Sequence, residues 1–343
     1  YDTIAFAWRP LAEVEPFKSH LERERELAAL GPEEFARKKR IRQPVRYVVI
    51  GLAVLAGLAV IAFGVATIFN MFAKGLGGIP ERQKGRAELA WRFEVGDSLT
   101  STPFHYEGRV YFGSEDGYVY CVDAETGRGL WKHHTGGPVI GEVLVADGRV
   151  FVGSCGNAMW CFDAQTGKRL WRFGTGHYVG GGATYADGRV YFGSYDYNVY
   201  CLDAATGDEV WRYETDAWVF STPFVAEGRV YVGSLDGYLY CLDAATGRPR
   251  WRFETQGEVY SSPFVWEGKV YFGSDDTWLR CLEAETGRMI WRYRDPDYWN
   301  LIRSRVVAFD GRVYFGCLNH IVYCVDAGRA GSCGGTKRRT RWR

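Results

Sequence analysis

The chain of 343 residues lacks net charge of either sign: 42 Lys and Arg stand against 41 Asp and Glu, for a formal charge of +1. That balance excludes a polybasic nucleic-acid binder and an acidic disordered tail protein. Paired-cysteine motifs are also missing. The nine cysteines include no Cys-x-x-Cys metal pair and no Cys-x-x-Cys-His haem attachment, and the chain is too long to depend on disulfides for its fold. What is abundant is Gly, at 43, and Trp, at 13, within an ordinary 47% hydrophobic composition. Many glycines argue for many tight turns, and many tryptophans for large buried rings, so a turn-rich β protein is expected.

One segment stands apart from that pattern. Tyr47 to Ala73 is 27 consecutive residues without a charge. At about 1.5 Å per residue it is long enough to cross a bilayer core of about 30 Å with some tilt, and it reads as a transmembrane helix. Arg37, Lys38, Lys39, Arg40, Arg42 and Arg46 precede it, whereas only Lys74 follows closely. The positive-inside rule then makes residues 1–46 a short cytoplasmic helical segment. The rest is exported, giving a single-pass protein of the inner (cytoplasmic) membrane with a periplasmic domain. Residues 74–86 form a Gly-rich linker. The basic run Arg37–Arg46 and the tail segment Lys337–Arg343 are candidate contacts for anionic lipid. No output domain is recognisable in the first 46 residues.

The remainder is a repeat. Trp91, Trp131, Trp171, Trp211, Trp251 and Trp291 recur every 40 residues. Gly-Ser at 113, 153, 193, 233 and 273 and Cys at 121, 161, 201, 241 and 281 keep the same step, and Gly316 and Cys324 follow after a three-residue insertion. One unit reads as strand Ser221–Val225, turn Glu227-Gly228, strand Arg229–Gly233, turn Asp236-Gly237, strand Tyr238–Asp243, turn Thr246-Gly247 and strand Arg250–Glu254. Four antiparallel strands in about 40 residues make the blade of a β-propeller. The sixth unit lacks a fourth strand, and residues 88–95, carrying Trp91, are an orphan fourth strand at the other end. The expectation is therefore all-β: a six-bladed propeller over residues 87–328, closed by the N-terminal strand 88–95, with a basic tail at 329–343.

Cys121-Val122-Asp123-Ala124-Glu125-Thr126-Gly127 with Trp131 resembles the tryptophan-docking motif of the PQQ-like propeller family, of quinoprotein and BamB type. The motif returns at Cys201 to Trp211 and Cys241 to Trp251. The resemblance implies structural docking by Trp91, Trp131, Trp171, Trp211, Trp251 and Trp291. Quinoprotein dehydrogenases of this family look like larger, eight-bladed rings, many with adjacent cysteines and calcium ligands. This chain has no adjacent cysteine pair. Catalytic residues, cofactor and metal are accordingly expected to be none. The family's non-enzymatic, outer-membrane assembly type implies a scaffold, although six blades and a membrane helix depart from it.

Comparing the repeats with one another separates two sets of loops. Those joining strands one to two and three to four are nearly invariant, whereas those joining two to three and four to the next blade differ everywhere. In a propeller the two sets lie on opposite faces, so one face is uniform and the other varied. The anchor and linker are expected on the uniform side, with the varied loops facing a partner. Candidate partner residues on the varied face are His177, Tyr178, Tyr195, Tyr197, Trp218, Phe220, Trp278, Tyr298 and Trp299, with His133, His134 and His320 nearby; exposed aromatic loops suit interface cores. At one channel position the blades carry Thr102, Glu142, Gly182, Thr222, Ser262 and Arg305, so Glu142 and Arg305, with Arg303, are the channel candidates. An ion pair there is the simpler expectation, and a polar ligand the sharper one. The leading functional reading is a non-catalytic scaffold or accessory subunit of a membrane or envelope protein complex, with no nucleic-acid partner. The alternative is a small quinoprotein-like enzyme or ligand-binding sensor using the channel.

Overall fold

The structure, a computed structural model, describes residues 89–295 and 301–328, all within one compact unit spanning 79–343. The expected cytoplasmic segment 1–46, membrane span 47–73, linker 74–86, the pair Tyr298 and Trp299, and the tail 329–343 lie outside the described residues. Among the described residues every regular element is a strand, and no helix is long and apolar enough to cross a membrane.

Blade 1 is β1 (Phe104–Tyr106), β2 (Arg109–Gly113), β3 (Tyr118–Asp123) and β4 (Gly129–His134). Blade 2 is β5 (Leu144–Ala146), β6 (Arg149–Ser154), β7 (Ala158–Asp163) and β8 (Arg169–Gly174). Blade 3 is β9 (Ala183–Ala186), β10 (Arg189–Gly193), β11 (Asn198–Asp203) and β12 (Glu209–Glu214). Blade 4 is β13 (Phe224–Ala226), β14 (Arg229–Gly233), β15 (Tyr238–Asp243) and β16 (Pro249–Glu254). Blade 5 is β17 (Phe264–Trp266), β18 (Lys269–Gly273), β19 (Leu279–Glu283) and β20 (Met289–Tyr293), and blade 6 is β21 (Val307–Phe309), β22 (Arg312–Cys317) and β23 (Ile321–Asp326). Each is an antiparallel meander in chain order, and the first strands of successive blades neighbour one another from β1 to β21.

Local chemistry explains each meander. The Glu227-Gly228 turn has both residues at positive φ, 50° and 69°, the type I′ geometry whose twist matches a hairpin. In β15, Cys241 faces Tyr231 on one side and Trp251 on the other, and a register shift follows between Cys241 and Leu242. Alternate residues of the strand then face opposite neighbouring blades. Tyr240 and Leu242 pack with Tyr191, Val199 and Cys201 of blade 3, while Leu239 and Cys241 pack with Val270, Phe272 and Leu282 of blade 5. The core is thus a series of layers between blades. Burying each such side chain is worth about 1.5–3 kcal/mol before chain entropy is counted.

Two expectations need correction. The first strand of blade 4 begins at Phe224, not Ser221, because the polar groups before it are bonded elsewhere. The Gly233 N–H donates to Ser221 Oγ at 3.2 Å, and the Thr222 N–H donates to Ser262 Oγ of the next blade at 3.1 Å. The ring-closing strand is also not formed among the described residues. Residues 89–95 carry no strand, and the sixth sheet has three strands. The edge of β23 is consequently open: Val322 is 48% exposed and Cys324 is exposed, whereas Cys121, Cys161, Cys201, Cys241 and Cys281 are fully buried. Trp91 docks on blade 1, as its repeats dock on theirs, without completing the pairing to β23.

Candidate functional site: two faces and a channel

The uniform face is built for cohesion. Each repeated Trp donates its indole N–H to a backbone carbonyl of the next blade: Trp91 to Ala124, Trp131 to Ala164, Trp171 to Ala204 and Trp211 to Ala244, all at 3.0 Å, then Trp251 to Ala284 at 3.1 Å and Trp291 to Ala327 at 3.0 Å. The Thr-Gly turn makes this approach possible. At Gly207, with φ of +79°, an added Cβ would lie 2.6 Å from the Trp171 ring, so only glycine satisfies both the backbone and the packing. The motif's Asp organises the same turn. Thr246 donates its N–H and its hydroxyl to Asp243 at 2.9 Å each, and Arg250 donates at 2.5 Å. Arg250 first, then Thr246, hold the Asp243 carboxyl down to about 2.

On the varied face the loops between blades bring aromatic rings together. His177 meets Tyr178 edge-on with centroids 4.4 Å apart, and Tyr195 stacks on Trp218 at 4.8 Å and 10°. Tyr195 also touches Tyr178 and Phe220, each at 6.1 Å. Phe220 meets Tyr260 at 5.8 Å, and the Arg303 guanidinium lies 4.1 Å over the Tyr260 ring. The result is an arc that crosses four successive inter-blade connections near the channel mouth. Tyr195 is 3% exposed and forms the floor, while His177, Tyr178, Trp218 and Phe220 stay half-buried. Burial holds the His177 imidazole below its ordinary pKa, with Asp196 opposing that shift, so the ring is neutral at pH 7.

Other candidates are placed elsewhere. Tyr197 is 43% exposed at a positive-φ turn, and Trp278 is covered by Arg292 and Arg294 at 4.2 and 4.6 Å. His133 packs on Phe162 at 4.6 Å and His134 on Tyr118 at 4.9 Å, so both serve blade packing. Among the described residues no group of three or more His, Cys, Asp or Glu side chains gathers as a metal site.

The channel residues do meet. Arg305 of blade 6 donates to Glu142 of blade 2 at 2.7 Å, a pair that spans the channel between non-adjacent blades. Arg303 turns away to Asp275, with three contacts at 2.5–3.0 Å. Beside the pair, the backbones of blades 3 and 4 nearly touch: a Cβ on Gly181 would lie 2.2 Å from the Phe220 carbonyl oxygen. A shallow recess, with enclosed room for no more than a water molecule, lies instead between blades 5 and 6, lined by Thr277, Tyr293, Asp295, Cys317 and Tyr323 among others.

Two features escaped the sequence reading. Tyr260 belongs to the arc, and its signal was the column Ile140, Gly180, Phe220, Tyr260 and Arg303 in equivalent loops. The second is a carboxylate clasp at the two-to-three turn. Tyr120, Tyr200 and Tyr240 donate to Asp116, Asp196 and Asp236 at 2.6, 2.8 and 2.8 Å, and each Asp also accepts a backbone N–H from the preceding loop. Blade 5 substitutes Arg280 with Asp276. Blade 2 has Gly156 in the acid's place, and there the Trp160 indole N–H is buried without a partner.

These features define a β-propeller of docking-tryptophan repeats. The chain belongs to the family described as outer membrane protein assembly factor BamB, which it matches over residues 83–178, 161–240 and 228–330. The fold is similar to that of BamB from Moraxella catarrhalis, at 20% identity and a TM-score of 0.63, covering 70% of this chain and 77% of that one. It is similar as well to the computationally designed Ika8 protein, at 18% identity and a TM-score of 0.61, covering 67% and 71%. The quinohemoprotein alcohol dehydrogenase ADHIIG from Pseudomonas putida HK5 shares the fold at 15% identity and a TM-score of 0.53, and this chain spans 52% of its length. No curated protein matches the chain.

Proposed function

We propose that the propeller is a non-catalytic interaction module, a scaffold or accessory subunit of a protein complex in the membrane or envelope. The observation that carries this reading is the aromatic arc Tyr178–Trp218–Phe220–Tyr260, which lies on the face that differs from blade to blade. Aromatic side chains around a partly buried centre are what protein interfaces use as anchors. In this reading the segment 47–73 anchors the chain in the inner membrane, residues 1–46 are cytoplasmic, and the propeller is exported. The basic segments Arg37–Arg46 and Lys337–Arg343 rest on anionic lipid. The test is purification of the full chain from its own membranes in mild detergent. A stoichiometric membrane-protein partner is expected, and a chain that purifies alone contradicts the reading.

A second reading, a small quinoprotein-like enzyme or ligand-binding sensor using the channel, draws on the fold shared with an alcohol dehydrogenase. Against it stands the Glu142–Arg305 pair, which already occupies the channel's charged groups. A tightly held quinone chromophore in the purified chain would favour this second reading.

A further inference from the structure

We propose that residues 339–343 of this chain, carrying Trp342, add the missing fourth strand to blade 6 by pairing along the free edge of β23. The gap they fill is defined by two tasks that one strand performs elsewhere. In blade 4, β16 pairs with β15, Trp251 opposite Cys241, and the same Trp251 donates its indole N–H to Ala284 of blade 5 at 3.1 Å. Between blades 6 and 1 those tasks are separated. Residues 89–95 perform the docking. Trp91 donates to Ala124 at 3.0 Å, and Phe93 lies 5.9 and 5.7 Å from Phe112 and Tyr120, as Phe173 lies against Phe192 and Tyr200. Nothing among the described residues performs the pairing, since the β23 sheet stops at three strands. The hydrophobic clusters agree. One joins each successive pair of blades from 1–2 to 5–6, and among the described residues none joins 6 to 1. An unpaired strand edge is a template for another strand.

The sequence supplies that strand. Each of the six docking tryptophans is followed directly by Arg or Lys. Trp342-Arg343 repeats the step, and Arg339-Thr340-Arg341-Trp342-Arg343 repeats Arg248-Pro249-Arg250-Trp251-Arg252 of blade 4 in all but one residue. The blade 4 register, carried to blade 6, sets Trp342 opposite Cys324, Arg343 opposite Tyr323 and Thr340 opposite Val325. The polar contacts have counterparts in other blades. Arg250 donates to Asp243 at 2.5 Å, and the equivalent pair is Arg341 with Asp326. Arg212, opposite Tyr200, holds its guanidinium 5.8 Å over that ring, and Arg343 meets Tyr323 in the same way. Residues 327–338, with Gly328, Gly331, Gly334 and Gly335, give the connection ample length and backbone freedom at little extra cost in closure entropy. Arg250 and Arg252 are exposed on either side of Trp251, so Arg341 and Arg343 keep their charges at the surface, where anionic lipid can meet them. The Cys324 thiol still faces the gap, because no blade covers it as blade 5 covers Cys241.

The test uses the full chain in its own membrane, with Trp342→p-benzoylphenylalanine as the photo-crosslinking probe and mass spectrometry to map the captured residues. The expected product is an intrachain cross-link to β23, within residues 321–326. Hydrogen exchange of the full chain in mild detergent is the second readout. The β23 amides should exchange about tenfold faster in Trp342→Ala than in the parent, while those of β15 stay unchanged. Thr340→Pro should leave β23 exchange as in the parent, because Pro249 already holds that place in β16, and circular dichroism should match the parent in each variant. Capture of lipid, of another protein, of a second copy or of any segment other than β23 overturns the proposal. So does the absence of a cross-link, or β23 exchange indifferent to Trp342→Ala; each of these outcomes leaves the scaffold reading intact.

Discussion

The two faces of the propeller spend their charge and their aromatic rings differently. On the uniform face acids and bases are paired within or between adjacent turns, as in Asp147 with Arg149, Asp243 with Arg250, and Glu227 and Glu285 with Arg229. Its rings are docking tryptophans held by a carbonyl of the next blade. On the varied face the rings stack on one another around the channel mouth, and Asp216 and Glu258 are left exposed. One face closes on itself, whereas the other pairs some of its charges, as in Arg280 with Asp276 and Arg303 with Asp275, and leaves half-buried rings and two carboxylates at the surface. Function is then sought in the departures from the repeat, because the repeat itself is consumed by cohesion.

Substitutions on each face should separate these roles. The largest stability effect is expected for Trp211→Ala, which empties a site 7% exposed and removes the bond to Ala244. A loss of about 3–5 kcal/mol in urea unfolding is expected, with any partner loss following from unfolding. Trp218→Ala, at a half-buried ring, should cost less, about 1–3 kcal/mol from lost apolar area and the aromatic pair together, yet abolish partner retention. If the two variants lose stability equally, the faces are not distinct in this way.

Acid should loosen the uniform face first. The Asp243 carboxyl is lowered to about 2 in the fold, by Arg250 and then Thr246, from about 3.9 unfolded. A depressed carboxyl contributes stability that is full above the unfolded value and is lost as pH falls through the folded one. The urea midpoint should therefore drop between about pH 4 and pH 2, and Asp243→Asn should flatten that slope. A smaller gain is expected at Thr277, which holds φ of 75° where blades 1 and 4 have Gly117 and Gly237. A β-branched residue is strained there, and its hydroxyl is buried without a partner. Thr277→Gly should stabilise by about 0.5–1 kcal/mol in the same assay.

Much of the architecture was legible because the blade is copied. Turn residues, alternation and the 40-residue step place four strands per unit, and the column containing Glu142 and Arg305 pointed to their ion pair. Two kinds of fact were not legible. The first strand's start depends on side chains of the neighbouring blade, such as Ser262 bonding Thr222, which no reading within one unit supplies. The arc depends on which loop rings point inward, so Tyr260 joined it while Trp278 was claimed by Arg292 and Arg294. The sixth blade differs for a related reason. By analogy with Trp131 and Cys121 a closing strand would set Trp91 opposite Cys324, but it must pair across the two ends of the chain, and a repeat pattern does not carry that. Tyr271, whose counterparts Tyr191 and Tyr231 bond the next blade's carbonyl, is left without a partner between blades 5 and 6. Maleimide should accordingly label Cys324 rapidly and Cys121, Cys161, Cys201, Cys241 and Cys281 only on unfolding; protection of Cys324 in the folded chain would mean that residues 89–95 do close the ring.

The division of labour between the faces is tested most directly by partner retention in mild detergent, comparing Trp218→Ala with Glu125→Lys at matched folding. The account predicts at least a tenfold loss of the co-purifying membrane protein for Trp218→Ala and none for Glu125→Lys. Equal retention by both, or loss confined to the uniform-face variant, would contradict it.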